Sequence, residues 1–297
     1  MIISWVFLYL QINFRGQNSM DELLDRNKRT LSNFITIILN STSYFILSFF
    51  FMYLITQVAV AVAAMQFDFT SILYYHKLVY TIDTYSWTPD AVKLLFSLAP
   101  VLSLLLGIIF FFVYFGMTEN TMKFKVFFLW CFIHGVVWFF GAILAGTLLD
   151  KGFGYVVMYF YLLDTGKLII SLLSIAIMLF IAAYSTRGFL FSANSYFMEL
   201  NEHNRTFFVF AQIVVPLVLG TAIIIISKIP KINFYELFVI LTYVLIMIPV
   251  LLRFNAFPTL FFEEFPFKIT LDKTGLVLAG ITLVAVRVVL EIGVPFG

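Results

Sequence analysis

The chain has 297 residues, 62% of them hydrophobic and 11% charged, with a formal net charge of +2 and a mean hydropathy of +1.03. A soluble domain carries about 25% charged and about 45–50% apolar residues, so this composition excludes a water-covered globular surface. With so small a net charge and no long basic run, no nucleic-acid partner is expected, and a lone cysteine, Cys131, excludes an intramolecular disulfide framework.

The opening stretch MIISWVFLYL is apolar but lacks the basic start and small-residue cleavage site of a signal peptide. Residues 1–30 are read as an N-terminal cytoplasmic tail. Within it Met20 is taken as the true initiator, and a short interfacial anchor is the other reading of residues 1–19. Residues 31–297 are read as one transmembrane helical domain. A spanning helix needs about 20 apolar residues, because the hydrocarbon core is thick and every amide must be satisfied within the segment.

Residues 30–67, 94–118, 126–149 and 206–227 carry no charge; 168–184 is shorter but continuous. Residues 232–252 hold only Glu236, and 274–294 hold Arg287 and Glu291, which are four apart and expected to pair on one helix face. The prediction is therefore an all-α, polytopic bundle of about seven spans. Arg15, Arg26, Lys28, Arg29, Lys123, Lys125, Arg187, Arg205, Arg253, Lys268 and Lys273 fall on the side of the N-terminus. Lys77, Lys93, Lys151, Lys167, Lys228 and Lys231 fall opposite. That asymmetry predicts N-in and C-out.

After the first span, FDFTSILYYHKLVYTIDTYSWTPD is rich in tyrosine and is placed on the outer membrane surface, with Thr88 capping the second span and Pro89 at its first helical position. The third span contains CFIHGVVWFFGAILAG, in which Cys131, His134 and Trp138 share a helical face. Two candidate ligands fall short of the three or four that zinc needs. Gly141 with Ala145 and Ala142 with Gly146 form overlapping small-residue pairs, so this is read as a packing helix in which His134 donates to a neighbouring carbonyl or tyrosine.

The next segment sets a short apolar piece, residues 153–163, before Asp164, Thr165, Gly166 and Lys167. Either the piece lies along the interface with its charges at the water boundary, or Asp164 and Lys167 sit within the membrane at a helix break that marks a solute or ion path. Further on, MELNEHNR spaces Glu199 and His203 four apart with Glu202 beside them. If helical, that pattern offers carboxylate and imidazole ligands to a transition metal; the plainer reading is a solvated turn, and no cofactor is expected. In the fifth span Gln212, Pro216 and Gly220 line one side, and Pro216 frees a carbonyl and predicts a kink. The loop RFNAFPTLFFEEFPFK is expected to dip into the inner interface around Glu263 and Glu264.

No HExxH, GxSxG, P-loop or GxGxxG motif occurs, and DTG at residues 164–166 occurs once where an aspartic protease needs two carboxylates. The sequence therefore favours a non-catalytic component that packs within, or helps assemble, a membrane complex, with the lipid bilayer and other membrane proteins as partners. A small transporter or lipid-handling protein using the Asp164–Lys167 break, Gln212, Pro216 and Glu236 is the alternative. A metalloenzyme using Glu199, Glu202 and His203 comes last. Abundant Phe, Ile and Tyr place the chain in a bacterial inner membrane as a multi-pass protein.

Overall fold

Thr30 opens the first of the long apolar helices among the described residues: its hydroxyl accepts from the Asn33 N–H at 3.2 Å, satisfying one of the amides that a helix start leaves bare. The computed structural model describes residues 28–266 and 268–297, and among them seven helices are long and apolar enough to cross a membrane. They are α1 (Leu31–Met65), α2 (Pro89–Gly116), α3 (Lys125–Leu149), α4 (Asp164–Ser195), α5 (Glu202–Lys228), α6 (Phe234–Ala256) and α7 (Lys273–Ile292). The readings made for residues 1–27 lie outside the described residues. We call the end where α1 starts proximal and the end where it finishes distal.

The protein is thus an all-α polytopic bundle, as the charge-free stretches predicted. α3 is the most enclosed helix, with 72% of its apolar window buried, whereas α2 and α7 bury 22% of theirs and turn most of their surface to lipid. α1 packs on α2, α3, α5 and α7, and α4 on α6. Close approach of α2 and α3 depends on facing glycines: a Cβ on Gly135 would lie 2.9 Å from the Gly107 Cα and would overlap the Ser103 carbonyl. The small residues singled out in α3 are also used inside the chain. Gly141 faces Thr242 of α6 and Gly146 faces Gly154 of the following loop, while Ala142 and Ala145 are buried.

Thr88 and Pro89 start α2 as expected, the Thr88 hydroxyl accepting from the Ala91 N–H at 3.2 Å. Arg287 and Glu291 pair at 3.4 Å. The Asp164–Lys167 segment contains no helix break. Leu163 is the extended residue before α4, Asp164 is its first helical residue, and the helix continues through Lys167, whose ammonium reaches Asp150 at 2.6 Å. Residues 153–163 hold only a short helix, Gly154–Met158, and the turns after it.

Short strands close both ends. At the distal end β1 (Ser71–Leu73) pairs antiparallel with β2 (Leu78–Tyr80) and with β5 (Val294–Phe296), so the chain end is stitched to the α1–α2 loop. At the proximal end β3 (Glu199–Leu200) pairs with β4 (Leu260–Phe261). The buried Arg205 guanidinium secures that end, donating to the Phe257 carbonyl at 2.7 Å and the Pro258 carbonyl at 2.8 Å.

Candidate functional site

α1 sends a series of polar side chains into the bundle. The Ser41 hydroxyl accepts from the Trp130 indole N–H at 3.2 Å and donates to the Gln212 carbonyl at 2.6 Å. That carbonyl is the one Pro216 leaves without its donor four residues on, because proline has no N–H. Around it α5 widens into a π turn, Phe210–Val214, and α3 has another at Val137–Gly141. Such turns recur where a helix is re-aimed at a functional site. The Gln212 side chain is fully buried, and neither of its polar atoms has a hydrogen-bond partner.

One turn from Trp130, His134 is wholly buried. Its Nε2 lies 3.0 Å from the Phe45 carbonyl and 2.9 Å from the Ser48 hydroxyl. A carbonyl only accepts, so Nε2 carries the proton and Nδ1 accepts from the Tyr243 hydroxyl on α6. His134 therefore fastens α3 to α1 and α6, as a donor to a carbonyl and an acceptor from a tyrosine.

Toward the distal end lies an ion pair inside the bundle. Lys228 is the last residue of α5 and Glu236 sits in the first turn of α6, and their side chains are 1% and 8% exposed. Each charge also meets the helix-dipole end of opposite sign. The Lys228 ammonium stands 4.5 Å from the centre of the Tyr53 ring and 5.8 Å from that of Phe49. Phe49 in turn lies 5.6 Å from the His134 ring and 5.8 Å from Trp138, so one phenyl ring separates the charged pair from the histidine cluster.

Glu236 lines a cleft of about 190 Å³ near the distal end, together with Tyr53, Tyr80, Trp138, Tyr235, His76 and Lys77. Tyr235 is fixed from both sides. Its hydroxyl accepts from the Phe153 N–H and donates to the Ala142 carbonyl, each at 3.3 Å. Gly152, at φ +57°, leaves room for its ring where a Cβ would overlap it. Burial first, then the ammoniums of Lys77, Lys231 and Lys228, hold the His76 imidazole below its ordinary value against the opposing pull of Glu291.

The residues expected to matter are therefore scattered. Glu236 lines the cleft, Gln212 and Pro216 belong to the buried Ser41 junction, and Asp164 and Lys167 stand at the distal start of α4. Glu199 and His203 do not share a helical face: Glu199 lies in β3, and α5 begins only after Asn201 caps it. Among the described residues, no group of three or more His, Cys, Asp and Glu is placed to hold a metal ion. On sequence alone Lys228 counts only among the loop charges. The signal for it was the short connection from Lys228 to Phe234, which brings an ammonium and a carboxylate to neighbouring helix ends.

Comparison with known proteins gives no matching family model, no matching curated protein and no matching solved structure.

Proposed function

We propose that this chain is a membrane transport protein that takes up a small amine-bearing solute in the distal cleft. The observation that carries this reading is the buried Lys228–Glu236 pair, with Glu236 among the residues that line the cleft. Ionisable groups buried in a membrane bundle are costly, and a solute or ion path is the default reading of them. At about 190 Å³ the cleft is smaller than the roughly 300–1,000 Å³ of drug-sized sites, which favours a solute of few atoms. Tyrosine and tryptophan faces beside a carboxylate suit a cation. An entering ammonium shares Glu236 with Lys228, whose ammonium already rests on the Tyr53 ring. Phe49 is the barrier to further movement, and the two π turns are where α3 and α5 can adjust.

The small-residue pairs of α3 were one support for an assembly role, beside the missing catalytic motifs. Gly141 meets Thr242 and Gly146 meets Gly154 of the same chain, so those glycines do not by themselves favour it.

The test is thermal unfolding of the purified protein with methylamine, ethanolamine, choline and putrescine, with acetate as control. A ligand present at 100 times its Kd stabilises by about 2.7 kcal/mol. At least one amine is expected to raise the midpoint of the wild type and to leave that of Glu236→Gln at its own unliganded value. Counterflow of that amine in liposomes then reports transport. No response to any amine, or an equal response in Glu236→Gln, refutes the cleft as an amine site.

A further inference from the structure

At the opposite, proximal end, a cavity of about 860 Å³ lies between the end of α2, the last turns of α4 and the β4 loop. Its walls differ along its depth. Phe111, Phe115 and Tyr184 project from the spans, with Phe115 and Tyr184 41% and 62% exposed, so this part opens sideways to the hydrocarbon. Toward the helix ends the wall becomes charged: Arg187 from α4, and Glu263 and Glu264 from the loop after β4. No ion pair links Arg187 to either glutamate among the described residues, so opposite charges line one cavity without neutralising each other directly. α2 ends here too, bringing the negative end of its dipole and the Glu119 carboxylate. The nearby Lys125 ammonium is buried, and its donors are directed to the Thr118 and Asn120 carbonyls and the Asn194 side chain.

We propose that this groove holds one phospholipid whose headgroup carries a primary amine. The acyl chains lie on Phe111, Phe115 and Tyr184. The phosphate meets the Arg187 guanidinium, and the ammonium meets Glu263 and Glu264. Charge complementarity selects this occupant. A glycerol headgroup would set its phosphate on Arg187 but bring no cation to the glutamates. A trimethylammonium headgroup brings a cation without N–H donors, and so loses the charge-assisted hydrogen bonds. Lipid is the occupant reached through a wall that faces the bilayer. The site is remote from the distal cleft, so its test stands or falls independently of the transport reading.

The experiment is native mass spectrometry of the full-length, delipidated protein titrated with dioleoyl phosphatidylethanolamine, phosphatidylcholine and phosphatidylglycerol. Phosphatidylethanolamine is expected to be retained at least about tenfold more than either other lipid, a difference on the scale of one hydrogen bond to a charged group. Glu263→Gln/Glu264→Gln should abolish that preference. Both glutamates are exposed, so the variant is expected to keep the wild-type unfolding midpoint, which is measured alongside. Arg187→Gln, at a position equally exposed, should lower retention of all three lipids. Equal retention of the three lipids by the wild type, or an unchanged preference in the double variant, overturns the proposal.

Discussion

Removing the ammonium of Lys228 would leave the Glu236 carboxylate buried and unpaired, which is the costly half of any buried ion pair. Lys228→Met is therefore expected to destabilise the protein by about 3–5 kcal/mol, whereas Lys228→Met/Glu236→Leu, which removes both charges, should recover most of that loss. Unfolding midpoints in detergent decide it; a double variant less stable than the single one would show that the pair stabilises the fold outright. Asp272 is a different kind of charged residue. Burial alone would raise its carboxyl, but the Tyr44 hydroxyl, the Gly275 N–H and the Lys123 ammonium outweigh that and hold it below the ordinary carboxylate value. It thereby anchors the start of α7 against α1. Its cap on Gly275 is local, but Tyr44 and Lys123 are brought to it by the fold, so nothing in the neighbouring sequence announces them.

Ser41 and Pro216 form a unit at the scale of helices, since the hydroxyl on α1 answers a carbonyl that a proline on α5 has freed. Ser41→Ala leaves that carbonyl and the Trp130 N–H without partners and should cost about 1–3 kcal/mol. In a Pro216→Ala background the helix can supply its own N–H, and the same serine change should cost distinctly less. The double-mutant cycle measures this coupling; strict additivity would separate the two residues. The kink residue was legible in the sequence, because proline's missing N–H is a local property. The serine that compensates it was not, because it lies 171 positions from the Gln212 carbonyl it answers. Helix starts were legible for the same local reason, as at Thr88 and Pro89. The shared helical face expected of Glu199 and His203 is absent because four-residue spacing has that meaning only within a helix, and Asn201 starts the helix between them.

For the whole molecule, the excess of Lys and Arg on the N-terminal side predicts that the proximal end faces the cytoplasm. Two exposed positions test it: Tyr85, in the distal loop, and Met122, in the proximal loop between α2 and α3. Cys131 is buried and is removed as Cys131→Ser. In intact cells a membrane-impermeant thiol reagent should label Tyr85→Cys and spare Met122→Cys until the membrane is opened; the reverse pattern inverts the topology. Both proposed sites then gain a side, with the amine cleft facing outward and the lipid groove lying in the inner leaflet.

The sequence by itself determined that the chain spans the membrane and how many times, because hydrocarbon admits only long apolar helices with satisfied backbones. It also showed Glu236 as an isolated charge in a span. Tertiary structure alone decided what that charge does. Pairing with Lys228, enclosure by Tyr53 and Tyr235, and separation from His134 by Phe49 join residues from α1, α3, α5 and α6. The strands at either end were equally hidden, since strands of two or three residues are too short to show a period and are held by partners distant in the chain. Partition into lipid is a property of each segment, summed residue by residue, whereas a site depends on which faces of several helices meet, and that is settled only when they pack.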